Sequence, residues 1–156
     1  MRTLFFICVF LISQNNFAQT HNLPSLKYSY SEYEPFIDAQ TMEIHHSKHH
    51  QAYVNNLNKS IAGTNMEKSS LIELMMYASF RPESVRNNAG GHYNHTFFWE
   101  ILTPEEKQTK NISKELDAAI ITHFGHLDSL KAKLNQAASL RFGSGWAWLL
   151  LTPQKN

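Results

Sequence analysis

At 156 residues and 18.0 kDa the chain is long enough for one domain of ordinary size and too short for two that each bury a full core. Hydrophobic residues make up 42% and charged residues 17%, with only 6 Gly and 5 Pro. This excludes disordered, collagen-like and low-complexity classes, which lack the apolar area that offsets backbone ordering. A formal net charge of +1, with no run of like charges, excludes a nucleic-acid binder driven by counterion release.

In chain order, Arg2 precedes an apolar run from Leu4 to Ile12, followed by the polar Ser13-Gln14-Asn15-Asn16 and the small Ala18. A short positive start, a short apolar stretch and a small residue at the cut describe an export signal better than a membrane span, which needs about 20 apolar residues. The expectation is a signal peptide over 1–18, cleaved after Ala18, on a protein that is periplasmic or secreted and has no membrane span once cleaved. Cleavage removes Arg2 and leaves basic and acidic side chains equal in number. It also removes Cys8, the only cysteine, so disulfides, thiolate metal sites and thiol catalysis are excluded from the mature chain.

Residues 20–35 carry Pro24, Pro35 and three tyrosines with serines between, and predict an extended arm with no helix before Pro35. From Asp38 to Lys59 nothing breaks a helix, with Asp38 as a candidate N-cap and Gly63 past the end. Ser70-Leu71-Ile72-Glu73 is a capping-box pattern and predicts a short helix that stops before Pro82. A third helix over 83–102 contains Gly90 and Gly91, each costing roughly 1 kcal/mol relative to Ala. Close approach by another part of the protein is the physical reason to keep them. Leu116, Ile120 and Phe124, then Leu127, Leu130, Leu134 and Ala138, recur at helical spacing and end near Gly125 and Gly143. Trp146-Ala147-Trp148-Leu149-Leu150-Leu151 is aromatic-rich and too short for a helix, and predicts the start of a strand.

Six of the 9 histidines lie in two short stretches: His45, His46, His49 and His50, then His92 and His95. On the first helix His45, His49 and Tyr53 share a face at i, i+4 and i+8, while His46 and His50 lie on the next stripe. Neutral imidazole is the commonest nitrogen ligand for transition metals, and histidines from two packed helices can meet at one ion. His95 is the natural partner. A histidine pair on one helix is nonetheless more often packing or surface than a metal site. Gly90 and Gly91 before it, with Phe97, Phe98 and Trp99 after it, shift the balance towards a metal in a dry, aromatic-walled setting.

Taken together, Leu23-Pro24-Ser25-Leu26 with Tyr28, Gln40 to His46 with Lys48-His49-His50 and Tyr53-Val54-Asn55-Asn56, Arg86 to His92, Asn94-His95 with Phe98-Trp99, and Ser139 to Trp148 resemble the iron/manganese superoxide dismutase family. They occur in family order from Leu23 to Leu150. The resemblance implies an α+β fold: an N-terminal helical hairpin domain over 19–103, then an incomplete α/β C-terminal domain over 104–156 that is mostly α as present.

The resemblance also implies the chemistry: superoxide is disproportionated to oxygen and hydrogen peroxide at a redox-active manganese, or alternatively iron, centre. His45 and His95 match two of its metal ligands. Tyr53 matches the gateway tyrosine that relays protons, His49 its neighbour at the funnel mouth, and Trp146, Phe98 and Trp99 the aromatic walls. Lys48 offers local attraction for the superoxide anion, and Gly91 stands where manganese-type members carry glycine. The family's remaining ligands come from an Asp-x-x-x-His segment after the sheet begins, which these 156 residues lack; Asp128 and His126, the last of their kinds, precede Trp146. The expectation is therefore a chain truncated in its C-terminal domain, binding metal weakly, with little activity of its own. The family's homodimer would be replaced by weak association or aggregation. The alternative is a noncatalytic helical metal-binding or interaction module.

Overall fold

A computed structural model describes residues 21–109, 111–143 and 145–152; the expected leader over 1–18 lies outside them. The described residues form two units that interleave along the chain. The first comprises 21–25 and 41–96, the second 26–40 and 97–152. Among the described residues no helix is long and apolar enough to cross a membrane.

The predicted first long helix is present but not uniform. It runs as α1 (Ala39–Glu43), a π-helical segment (Ile44–His50) and α2 (Gln51–Ile61). The Ala39 N–H at its start donates to Glu34 Oε1 at 3.2 Å, which meets one of the donors a helix start leaves unpaired. At the other end Gly63 adopts φ 69°, where a residue with a Cβ is strained.

In the first unit, Val54, Leu57 and Ile61 fall at i, i+3 and i+7 on α2 and are all buried. Leu57 and Ile61 pack with Met66, with Leu74 of α3 (Leu71–Met76), and with Val85 and Ala89 of α4 (Glu83–Ile101). The capping box at the start of α3 forms as the sequence predicts: Ser70 Oγ accepts from the Glu73 N–H at 3.2 Å, and Glu73 Oε2 accepts from the Ser70 N–H at 2.7 Å. A 3-10 turn (Ala78–Phe80) follows before Pro82. The start of the arm is clamped to α2: the His21 N–H donates to Asn58 Oδ1 at 2.9 Å and the Asn58 amide donates to the His21 carbonyl at 2.8 Å.

In the second unit the arm is not fully extended. A 3-10 turn (Tyr30–Tyr33) forms before Pro35, because Glu32 accepts from the Ser29 N–H at 2.7 Å and fixes the turn. Glu32 also pairs with Lys107 of a second 3-10 turn (Glu105–Lys107). The helices α5 (Lys114–Phe124) and α6 (Leu127–Ser139) form a hairpin that buries Ile120 and Leu130. Gly125 ends α5 at φ 83°, its N–H donating to the Ile121 carbonyl at 3.0 Å.

Residues 146–151 do not form the expected strand, and no strand occurs among the described residues. A strand is assigned by its ladder, and the apolar pattern alone cannot supply the paired neighbour that a ladder requires. The observed architecture is thus an α-hairpin domain followed by a C-terminal part that is helical as present.

Candidate metal centre

The π-helical segment and α2 bring His45, His49 and Tyr53 to one side, where α4 presents Gly91 and His95. One ring nitrogen from each of His45, His49 and His95 lies within 4.8 Å of the other two. His95 is buried, His45 half-buried and His49 exposed. His95 Nδ1 stands 2.6 Å from the Gly91 carbonyl, so it carries the proton and donates. The lone pair of His95 is therefore on Nε2, which faces His45 Nε2 at 3.1 Å. Without an ion, one of these nitrogens must hold a proton between them; with one, both can turn lone pairs to the same point. A backbone carbonyl holding the far nitrogen of a ligand imidazole is the usual support of a metal-binding histidine.

Electrostatics keep the ring pair neutral. Burial pushes His45 below the ordinary imidazole value of 6.5, with the neighbouring His49 adding to the effect. Burial also pushes His95 down, against the opposing pull of the Gly91 carbonyl. Neutral imidazoles are what a transition metal requires, so the donor set fits such an ion.

Gly91 explains the close approach. A Cβ placed on it would sit 2.6 Å from Tyr53 Cγ, well inside van der Waals contact, whereas nothing lies within 4 Å of a Cβ on Gly90. The expected close approach thus holds for Gly91 and not for Gly90. Tyr53 is in edge contact with His49, ring centroids 5.1 Å apart at 86°, and tilted against His95 at 5.3 Å.

Lys48 is exposed, one residue before His49. In the second unit Phe98 meets two indoles, lying 5.1 Å from Trp99 and 5.7 Å from Trp146 by ring centroids. The sequence places His46 and His50 on the neighbouring stripe but does not reveal what they or His92 pair with. His46 donates from Nε2 to the Pro24 carbonyl at 2.8 Å, anchoring the arm. His50, fully buried, pairs through Nε2 with His92 Nδ1 at 2.8 Å. Burial pushes His50 down to about 3, with the nearby His92, His95 and His46 rings adding to the shift, and pushes His92 down to about 4, with His21 and then His95 adding to it. The signal available was the His-His doubling itself, which puts one imidazole of each pair on the metal-facing stripe and the other on its neighbour.

The helical hairpin and its convergent imidazoles define a helical metal-binding protein, and comparison with known proteins specifies which. Residues 20–103 match the α-hairpin domain of iron/manganese superoxide dismutases, and residues 112–156 match the C-terminal domain of the same enzymes. A manganese superoxide dismutase of Acinetobacter baylyi is 48% identical over 152 residues, covering 97% of this chain and 66% of the relative. A manganese/iron enzyme of Methylomonas is 47% identical, covering 87% of this chain and 68% of the relative. An iron enzyme of Raoultella planticola is 44% identical, covering 84% of this chain and 78% of the relative. The chain belongs to the iron/manganese superoxide dismutase family, and spans about two thirds of the length of the first two of these relatives.

Two outcomes follow from this geometry. Gly91→Ala should lose about 1–3 kcal/mol of stability through overpacking against Tyr53, while Gly90→Ala should gain up to about 1 kcal/mol from helix propensity. Thermal unfolding of the two variants checks the pair, and equal stability would contradict the close approach. For pH, the folded values of His50 and His92 lie below the unfolded value of 6.5. The unfolded chain therefore takes up protons first, and the stability these groups contribute is complete above pH 6.5 and lost as pH falls through about 4 for His92 and towards about 3 for His50. The unfolding midpoint should decline across that window, and replacing both rings by Leu should flatten the decline.

Proposed function

We propose that this chain serves the disproportionation of superoxide at a manganese or iron ion held in part by His45 and His95. The observation that carries this reading is the pair of Nε2 atoms 3.1 Å apart, one of them oriented by the Gly91 carbonyl. When bound, the metal supplies one-electron cycling between its trivalent and divalent states, by which one superoxide is oxidised to oxygen and the next is reduced to peroxide with two protons. His95 offers a fixed lone pair, and His45 would remain neutral as a ligand by carrying its proton on Nδ1 in place of Nε2. Tyr53, braced by Gly91 and in edge contact with His49, holds a hydroxyl proton beside the site. Lys48 adds local attraction for an anion in a chain of almost no net charge. Gly91 in place of a longer side chain supports manganese, while the relatives are variously named manganese, manganese/iron and iron enzymes.

One observation favours a second reading, a noncatalytic metal-binding module: the candidate group contains three imidazoles and no carboxylate. Neutral ligands hold a divalent ion weakly and do little to stabilise a trivalent one. The 156-residue chain should therefore carry manganese well below one ion per chain by elemental analysis, and show dismutation near zero. Joining the corresponding C-terminal third of the Acinetobacter relative after residue 152 should raise both. His45→Ala or His95→Ala should abolish the gain, while His46→Ala, which loosens the arm, should matter less. Because burial lowers His45 and His95, metal affinity should hold at pH 6.5 and fall only below it. A fused chain with full manganese and no dismutation would favour the second reading; rapid dismutation by the 156 residues alone would overturn the ligand assignment.

We propose as well that the protein is exported, the support being the apolar run from Leu4 to Ile12 and a family match that begins only at residue 20. Intact mass of the mature protein should place its N-terminus near Gln19; a soluble product retaining Met1 would contradict this. The exposed Phe142, Leu150 and Leu151 favour weak self-association over a monodisperse dimer in sedimentation.

A further inference from the structure

Behind the candidate ligands lies a second imidazole layer to which the proposed chemistry gives no role. His50 is fully buried, and its ring stacks on that of His95, with centroids 5.2 Å apart and planes 22° from parallel. Its Nε2 is joined to His92 Nδ1 at 2.8 Å. The Thr96 hydroxyl donates to the His92 carbonyl at 2.9 Å, so at 3.4 Å from His92 Nδ1 it can only accept. Both neighbours of that nitrogen are then satisfied if His92 Nδ1 carries the proton and donates it chiefly to His50 Nε2. This bond fixes the rotation of the His50 ring, and the stack passes that orientation to His95, whose own Nδ1 is held by Gly91. Stacking a fully buried aliphatic side chain in the place of His50 would fill the volume but fix no ring plane.

We infer that His50, locked by His92, is a positioning residue for His95: it holds the ligand ring in the plane from which Nε2 addresses the metal. The inference rests on the metal-site reading above, and goes beyond it by assigning the second stripe of histidines a task in metal retention. His50→Phe keeps a ring and loses the bond to His92; His92→Gln keeps a side chain able to pair with His50.

Co(II) serves as the probe, because its visible spectrum reports ligand geometry independently of activity. The parent chain should bind Co(II), and His95→Ala should abolish the binding. Relative to the parent, His50→Phe should weaken Co(II) at least threefold and alter the spectrum, while His92→Gln should stay within twofold, each with unchanged helical content. In the metal-free parent, nitrogen NMR should show a coupling across the hydrogen bond between the His50 and His92 rings, a measurement that needs no variant to fold. A parent that binds Co(II) no more tightly than His50→Phe, or a parent without that coupling, overturns the positioning role alone. A parent that binds no Co(II) overturns the metal-site reading and this inference with it.

Discussion

The site depends on one contact: the ring of Tyr53 lying directly on the backbone of Gly91. It sets how closely the first helical stretch and α4 approach, and hence whether imidazoles on the two can share a point in space. Any side chain at 91 would separate the helices or displace the ring. The same residue lends its carbonyl to His95 Nδ1, so the position that permits the approach also fixes the proton on the ring that is approached. The glycine's weak helix propensity is offset by tertiary packing, the usual way such a residue persists inside a helix.

Around this contact the histidines divide by stripe. His45 and His49 join His95; His46 and His50 turn to the arm and to His92. The π-helical segment that carries all four takes more residues per turn than an α-helix, and such segments occur most often at functional sites. Its effect is to spread a short stretch of chain over two buried environments, one with lone pairs turned towards a common point and one with its ring nitrogens engaged.

Much of this was legible in the sequence because it is local. The Ser70 and Glu73 pair specifies its own cap, and Gly63 and Gly125 follow helix ends at positive φ, whereas α6 ends at Ser139, short of the expected Gly143. The face shared by His45, His49 and Tyr53 follows from spacing, and one of two adjacent glycines proved to mark a close approach. What was not legible depends on partners distant in sequence. Periodicity does not distinguish i→i+5 from i→i+4 bonding over a single turn, so the π-helical segment was read as ordinary helix. The 3-10 turn in the arm depends on Glu32 accepting from Ser29 and pairing with Lys107, 75 positions away. The burial of His50 and His92 is a property of helix packing, and the apolar run at 146–151 reads as a strand only when a neighbour pairs with it.

The electrostatics of the cluster limit how a metal can enter it. Burial depresses the pKa of His45, His50, His92 and His95 alike, so this region disfavours any added positive charge, whether a proton on a ring or a bare cation among the rings. A divalent ion held by neutral imidazoles alone brings its whole charge into that setting, and three nitrogen donors do not cancel it. A carboxylate entering with the ion removes most of the penalty, and removes more of it for a trivalent ion than for a divalent one. Metal affinity and the stability of the oxidised state are therefore coupled to the same event, the arrival of an acidic ligand that the imidazole cluster does not contain. The histidine cluster supplies the geometry of the site; the charge that makes this geometry retain a redox metal must come from outside the cluster.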